Sequence, residues 1–502
     1  MKKPTWEPIA EELLVALDAW LPSLKMKVAQ QALDKGDLAV LERLLKEKQK
    51  VAPDLVVELL PESSGSLLMV YIDGLVDSER LTTITTTSGS VVEAFARSGA
   101  SSKKVGQWDE VVTSFLSGEV ALLRQTVPGA LLVDLQKSPH RAVDIPHTEQ
   151  SIRGPQEAFV ETSTIKLAQI RRRLPAPNLA VETIPIGRRA PVPCHVVYID
   201  GLASRTVVDT VRRRLQALDL DTATNATRIG SLIRDHSWAL FPTVRYSERV
   251  DLVTLHLQSG KVAILVAGDP FVITVPATLA DFYRTTADYS TTWYDASFVR
   301  MIRWLAWGFG IFLPGLYIAL TEVNPDLISP SLFDIVSGSH TGLPFTPFVE
   351  VLVMILVIEI LREAALRLPT ILASTIGTVG AIVVGTSVVK AGFVSAQIIV
   401  VMTFTALSLF SGPAYELLSS WRIMNWLMLL SAFLLGVYGM LVSTLWLSVE
   451  LVSLTSFGVP YFVPMSPWRP KDWGDYLWRA PWKRLIRRTT DSRGQDLRWM
   501  DS

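Results

Sequence analysis

Ile423-Met424-Asn425-Trp426-Leu427-Met428-Leu429-Leu430-Ser431-Ala432-Phe433-Leu434-Leu435-Gly436-Val437-Tyr438-Gly439-Met440-Leu441-Val442-Ser443-Thr444-Leu445 runs from end to end without a charge. About 20 apolar residues in a helix cross the ~30 Å hydrocarbon core of a bilayer. Four more apolar runs precede this one. They are Ile302–Leu320, interrupted by Trp304, Trp307 and Pro314; Phe345–Leu361, which holds Glu350 and Glu359; Ile371–Val389, rich in small residues; and Phe393–Phe410. All five come close to the spanning length, so membrane helices are expected, the shorter ones with snorkelling or partial insertion. Buried helices of a large soluble protein are the competing reading, which the hydropathy disfavours.

The chain has 502 residues, 49% hydrophobic, and a formal net charge of zero. That zero hides a split, because only six Lys and Arg fall between residues 300 and 467: Arg300, Arg303, Arg362, Arg367, Lys390 and Arg422. The fold class expected is an α/β cytosolic region of two related subdomains plus an α-helical polytopic membrane domain. The boundaries expected are a helical extension over 1–60, subdomain 1 over 61–140, a basic helical linker over 141–189, subdomain 2 with a connector over 190–297, a membrane domain of four to six spans over 298–467, and a basic tail over 468–502. Cys194 is the one cysteine, which suits a reducing cytoplasmic face. The first residues, MKKPTWEPIAEELL, lack the apolar core of a signal peptide, so the first half is expected to stay unexported.

Ahead of the apolar region, Ile9, Leu13, Leu14, Leu17 and Trp20 fall at helical spacing. Gly36-Asp37 breaks that pattern, and Leu38, Leu41, Leu44 and Leu45 resume it. An internal repeat follows. Val70-Tyr71-Ile72-Asp73-Gly74-Leu75 returns unchanged as Val197-Tyr198-Ile199-Asp200-Gly201-Leu202. Ser117-Gly118-Glu119-Val120 is echoed in the same order by Ser259-Gly260-Lys261-Val262. Each copy reads as a buried strand ending in Asp-Gly, a helical region, and a hairpin turning at Ser-Gly. The Asp-Gly steps read as tight turns rather than ligand sites, since no glycine-rich phosphate loop follows either.

Between the copies, Arg171-Arg172-Arg173 has no aromatic platform beside it, which argues against nucleic acid. A solvated, partner-facing or lipid-facing helix is expected there. Pro175, Pro177 and Pro185 then break the chain before the second copy. Asp281-Phe282-Tyr283-Arg284 to Asp288-Tyr289 is an aromatic, charged connector. Arg300 and Arg303 at the first apolar run place the preceding residues inside by charge bias, and the tail from Trp468, with nine Lys and Arg against five Asp, is expected inside too. The loop Thr321–Thr341 carries Glu322, Asp326 and Asp334 but no Lys or Arg, as an outside loop would. Two inside termini need an even number of crossings, whereas the apolar runs number five. Either Ile371–Val389 or Phe393–Phe410 is re-entrant, or Leu447–Val463 adds a weak sixth.

Glu350 and Glu359 are the carboxylates most embedded in apolar sequence and are the candidate ion-path residues. Nine positions apart, they point to different sides of one straight helix. Glu350 has no local cation and is the better candidate. Glu359 lies three residues from Arg362, and Glu363 and Arg367 form an i, i+4 pair, so these residues also read as an ion-paired helix end at a membrane interface. Glu416 and Glu450 read as interfacial. Ala373, Gly377, Ala381 and Gly385 make a smooth face at four-residue spacing, suited to helix packing or a pore lining. The histidines show no metal-ligand spacing, and no nucleophile elbow or phosphate loop appears. No enzyme, metal or cofactor is expected, and nucleic acid is not expected as a partner.

The motifs now on the page resemble the GerA family of bacterial spore germination proteins, in its A-type subunits. The resemblance rests on Ile152–Pro155 with Phe159 and Glu161, Ile170–Arg173, Glu248-Arg249 with Asp251, Gly260–Leu265, Phe298-Val299-Arg300, Glu359–Ala364 with Arg367-Leu368-Pro369, Pro413–Leu417, and Ser456–Tyr461 with Pro464. It is colinear over about residues 65–485. It implies a subunit of a nutrient germinant receptor, multi-pass in a spore's inner membrane with both termini cytoplasmic. It also implies a homo-oligomeric ion channel, with a pentamer as the implied ring, working with a transporter-like B subunit and a C-type lipoprotein. Val250, Ala267 and Lys166 depart from residues usual in the family. The related stage V sporulation branch, a channel-like protein that amplifies germination, is the first alternative. A secondary transporter and a non-conducting membrane scaffold are the others.

Overall fold

The computed structural model describes residues 25–484 apart from 63–64, 87–93, 96–99, 137–145, 147–148, 150–153, 224, 341 and 368–387. Residues 25–35 are helical. Gly36 turns the chain at φ 63°, and the Asp37 carboxylate then caps α1 (Leu38–Gln49) by accepting from Val40 N. The leucine spacing becomes a buried stripe of Leu38, Leu41 and Leu45 against the first sheet. The Ile9–Trp20 spacing lies outside the described residues.

That sheet comprises β1 (Leu55–Glu62), β2 (Gly65–Ile72), β3 (Ser102–Val105), β4 (Glu119–Arg124) and β5 (Ala130–Asp134), with α2 (Ser78–Thr86) and α3 (Trp108–Ser117) between strands. Its order is β1-β2-β4-β5-β3 and every pairing is antiparallel. β2 is apolar on both faces because both are covered. Leu68, Val70 and Ile72 join α1 and α3, whereas Leu67 and Met69 join α2. A short unbroken apolar run is what a doubly covered strand requires.

Past α4 (Ser163–Arg173) the arrangement repeats. The second sheet holds β6 (Leu179–Ile186), β7 (Val192–Ile199), β8 (Arg245–Ser247), β9 (Val262–Val266) and β10 (Val272–Val275), ordered β6-β7-β9-β10-β8. α5 (Arg205–Gln216) and α6 (Ala226–Ile233) cover one face; α4 and α7 (Val250–Gln258) cover the other. The two sheets share one strand order, so the repeated hexapeptide marks equivalent strands, β2 and β7, of a duplicated unit.

Three sequence expectations change here. The first strand of each unit begins before the boundaries at 61 and 190, at Leu55 and Leu179. Pro185 disguises β6, but β6 is an edge strand and tolerates the missing N–H. The Ser-Gly steps are not hairpin turns. Gly118 and Gly260, at φ 102° and 86°, end α3 and α7 and lead straight into β4 and β9, where a residue without Cβ takes the left-handed conformation freely. Arg171 faces neither solvent nor lipid. It is 1% exposed and forks onto Asp54 at 2.6 and 2.8 Å. α4 is wedged between the units, with Ala168 in the first core and Leu167 and Ile170 in the second. The Asp-Gly steps are tight turns, in which Leu75 N and Leu202 N donate to Ile72 O and Ile199 O.

After α8 (Leu279–Tyr283) and α9 (Thr286–Ser290) the chain becomes helical and apolar. α10 (Trp293–Ile318) continues as a wide turn, Ala319–Val323. α11 (Pro330–His340), α12 (Pro347–Arg367), α13 (Ala396–Phe410) and α14 (Tyr415–Ser453) follow. α14 is not straight. Ser420 Oγ donates to Leu240 O and Ser456 Oγ donates to Thr243 O, so both its ends stand on one loop of the second α/β unit. At ~1.5 Å per residue a straight helix would hold those ends roughly 50 Å apart. The reversal is at Gly436, φ 64° and ψ −141°. The arms, 415–435 and 437–453, run antiparallel, and Leu447 and Leu451 pack in one cluster with Leu417 and Trp421. Asn324, at the far end of α10, accepts from Val437 N at 2.9 Å and closes the tip.

The run read as one segment, Ile423–Leu445, therefore contains a turn. The second arm, 437–453, ends before Thr455–Pro460, which forms a two-stranded clasp on the α/β unit, and most of Ile371–Val389 lies outside the described residues. α12 starts on the far side, where Phe348 N donates to Glu322, and α13 starts beside it at Ser395. The small-residue stripe Ala373, Gly377, Ala381 and Gly385 lies outside the described residues.

Candidate functional site

The α/β region meets the helices through buried charge. Arg245 on β8 pairs with Glu149 and, at 3.0 Å, with Glu416 in the first turn of α14; Tyr246 N also donates to Glu416 at 3.0 Å. An acid in the first helical turn suits the helix dipole. Arg249 spans Asp251 at 2.7 Å, Thr286 at 2.7 Å, and the carbonyls of Glu149 and Pro155. Glu149 sits so deep that burial pushes its carboxyl up, against the pull of Arg245.

A second chain of ions runs from the α/β unit through the connector to the tail. Lys261 meets Asp281 at 2.5 Å, Arg284 bridges Asp281 and Asp475 at 3.2 Å each, and Arg300 bridges Asp475 at 3.1 Å and Asp288 at 2.9 Å. Arg303 closes on Asp288 at 2.9 Å. Asp281 and Asp288 also complete capping boxes with Thr278 and Thr285, fixing α8 and α9. Burial works against both carboxylates, yet the facing cations overcome it and hold both below the usual Asp range. A cavity of about 590 Å³ opens beside this junction, lined by Arg249, Arg284, Arg303, Asp288, Asp295 and Ser411 among others. Tyr283, the last residue of α8, stacks on Trp304 at 4.1 Å. Sequence reading assigned Arg300 and Arg303 to charge bias, Glu416 to an interface and 281–289 to a connector. It missed Arg245 and Glu149, which carry no local signal.

Glu350 lies in the first turn of α12 and is 0% exposed. Its Oε1 meets His340 Nδ1 at 2.9 Å and its Oε2 accepts from Ser395 N at 2.7 Å. His340 Nε2 meets the Tyr317 hydroxyl at 3.0 Å. The residue without a cation nearby in sequence thus has an imidazole beside it, ten positions upstream on α11. Glu359 is elsewhere: it takes both Arg362 and Arg422, with Arg422 Nε at 2.8 Å. Arg367 pairs with Glu363 at 2.6 Å on the exposed helix end. The structure keeps the two embedded carboxylates apart, as their phase on the helix requires. Among the described residues no group of His, Cys, Asp and Glu is arranged to hold a metal ion.

This geometry defines a bipartite class of protein: a duplicated α/β unit fastened by buried ion pairs to a bundle of apolar helices. Among the described residues two helical stretches, Trp293–Val323 and Tyr415–Ser453 with its reversal at Gly436, are long and apolar enough to cross a membrane. The chain belongs to the GerA family, described as Bacillus/Clostridium GerA spore germination protein, which matches residues 43–491. Spore germination protein B1 of Bacillus subtilis (strain 168) is 34% identical over 447 residues, 87% of this chain and 92% of that one. Spore germination protein A1 of the same strain is 35% identical over 374 residues, 74% and 78% of the two chains. A crystal structure of the N-terminal domain of the A subunit of the Bacillus megaterium spore germinant receptor GerK3 is similar at 26% identity and a TM-score of 0.38, over 49% of this chain and 96% of that one.

Proposed function

We propose that this chain is the A-type subunit of a nutrient germinant receptor and that several copies of it form an ion channel. In this reading the apolar helices within residues 298–467 lie in a spore's inner membrane, with the α/β units, the Thr455–Pro460 clasp and the tail on the cytosolic side. A transporter-like B subunit and a C-type lipoprotein complete the receptor. The observation that carries the reading is the colinear family match over both the α/β units and the helices. The surface supports it. Phe298 and Leu305 on α10, Phe404 and Leu407 on α13, and Leu434, Leu441, Leu445 and Val449 on α14 are exposed, and so extended an apolar surface calls for lipid or protein cover. Trp293 and Tyr294 are exposed at the near end of α10, where an aromatic belt belongs.

Glu350 is the proposed ion-path carboxylate and Glu359 the near-side one. Both are closed by partners, His340 and Ser395 for the first and Arg362 and Arg422 for the second. Conduction in this reading requires the His340–Glu350 contact to open. The same closure is the one observation that favours the non-conducting scaffold. Reconstitution separates the two. The expected result is a closed ring by mass in detergent, with ion flux in vesicles that Glu350→Gln alters in selectivity. A monomer without flux sinks the channel, and unchanged selectivity and conductance in Glu350→Gln removes that residue from the path.

A further inference from the structure

Trp238 is 99% exposed. Tryptophan carries the largest apolar surface of any side chain together with one N–H donor, and it is rarely left wholly in water. The loop that presents it is braced. Ala239 N donates to His236 O at 3.2 Å, and Arg234 donates to Ser237 O. Asp235 pairs with Arg214 at 2.5 Å and accepts from Thr455 Oγ1 at 3.0 Å and Gly458 N at 3.3 Å. The ring is held out by the fold rather than left on a slack segment.

The loop's position sets what it meets. Its next residues, Ala239 and Leu240, pack into the cluster that holds Leu417, Leu451 and Leu454, and Leu240 O accepts from Ser420 in the first turns of α14. Trp238 therefore stands at the feet of both arms of the hairpin, level with the end of the exposed apolar face that runs through Val449 and Val452. Leu232 is exposed on α6 just before it. Arg234 supplies a half-buried cation within the loop itself, while the one acid of the loop, Asp235, is neutralised by Arg214.

We propose that the loop Arg234–Ala239 is a membrane-interface anchor of the α/β region, with Trp238 seated among anionic headgroups of the near leaflet. The inference rests on the helices being in a bilayer, as proposed above. An amphipathic ring prefers the headgroup level, and a cation in the same loop, Arg234, favours anionic lipid. The apolar face of α14 continues directly into the loop, so one surface meets both the acyl chains and the headgroups. Anchored in this way, the second α/β unit is fixed to the lipid as well as to α14, and a movement of the unit has to carry Trp238 through the interface.

The test uses the full chain in vesicles of phosphatidylcholine and phosphatidylserine. Trp238→Cys takes a polarity-sensitive fluorophore, with Leu441→Cys on α14 and Thr82→Cys on α2 as references. Cys194 stays in place, because it is buried and burial pushes its thiol up to about 12, leaving it unlabelled. The expected result is severalfold stronger quenching at 238 than at 82 by headgroup nitroxide lipids, and quenching at 441 by mid-chain nitroxide lipids. Quenching at 238 should weaken when phosphatidylserine is omitted; equal quenching without it overturns the anionic preference. A label at 238 that behaves like 82 while 441 is quenched overturns the anchor and leaves the membrane reading standing. A label at 441 that also escapes lipid overturns the membrane reading and the anchor with it. Shielding at 238 that fades as the protein is diluted in the vesicles identifies a second copy as the cover and overturns the lipid assignment.

Discussion

At the scale of single residues, buried polar groups show what each site tolerates. His256 is enclosed on α7, with its Nδ1 2.9 Å from Thr274 Oγ1. Burial, then Lys261, pushes its pKa down to about 3. The unfolded chain takes up a proton near the ordinary histidine value of ~6.5, so below that pH the unfolded state binds more protons. Stability then falls as pH drops from about 6.5 toward 3, by up to ~1.4 kcal/mol per unit from this group. His256→Gln keeps a partner for Thr274 and should flatten this dependence in thermal unfolding between pH 6.5 and 4; an unaltered slope contradicts the assignment. Lys166, one of the departures from the family pattern, is enclosed as well. Its ammonium donates to Val266 O at 2.8 Å and to Asp269 O, and burial draws its pKa down to about 8. It pins the turn after β9, a role that its sequence neighbours do not show.

At the scale of elements, the hairpin at Gly436 decides the path of the chain. A Cβ there would stand 1.8 Å from Asn324 Oδ1 at a backbone φ of 64°. Gly436→Ala has to move Asn324, lose its cap on Val437, and hold a left-handed residue. A loss of about 1–3 kcal/mol is expected from the backbone alone, read as a lower melting temperature of the detergent-solubilised chain. An unchanged melting temperature would place the reversal elsewhere. The helix crossing is equally close at Gly315, where a Cβ would meet Met428 O at 2.9 Å. Small residues let α10 and the outgoing arm of α14 touch backbone to backbone, and Asn425 uses that approach to reach Gly310 O at 2.6 Å.

At the scale of the whole molecule, the ion pairs at the junction join the duplicated α/β region to the bundle of apolar helices. Asp288 holds Arg300 and Arg303 together, and Arg300 is almost wholly buried. Asp288→Asn leaves buried positive charge with one counter-ion fewer, a change that typically costs about 3–5 kcal/mol. The expected outcome is easier proteolysis between the α/β region and α10, little affected by salt, because buried pairs are poorly screened. Wild-type cleavage rates in the variant would show that the junction does not depend on this carboxylate. The pH dependence has a defined sign. Asp281 and Asp288 titrate lower in the folded protein than in the unfolded chain. Their contribution is fully present above the ordinary Asp value of ~3.9 and is lost as pH falls below it through the folded values. The junction should therefore loosen only in strong acid, and loosening near neutrality would refute the pairing.

The amino-acid sequence by itself determined which segments seek an apolar environment, where the charge lies, and that the α/β region is a duplication. These are local or repeated patterns: the long uncharged run Ile423–Leu445 and a hexapeptide that occurs twice state their burial demand without reference to any partner. It also placed Glu350 and Glu359 on different sides of a helix, since that follows from helical phase alone. Only the tertiary structure decided that Arg171 is a buried bridge to Asp54, that His340 closes Glu350, that Ser117-Gly118 ends a helix, and that α14 turns back at Gly436. Each of these depends on which distant atoms pack alongside. A left-handed glycine is compatible with a hairpin turn, a helix end or a helix break, and an arginine with solvent or a buried fork. The choice is made by the groups brought near in space, because a buried charge or an unpaired backbone amide is stable only where a partner from elsewhere in the chain reaches it.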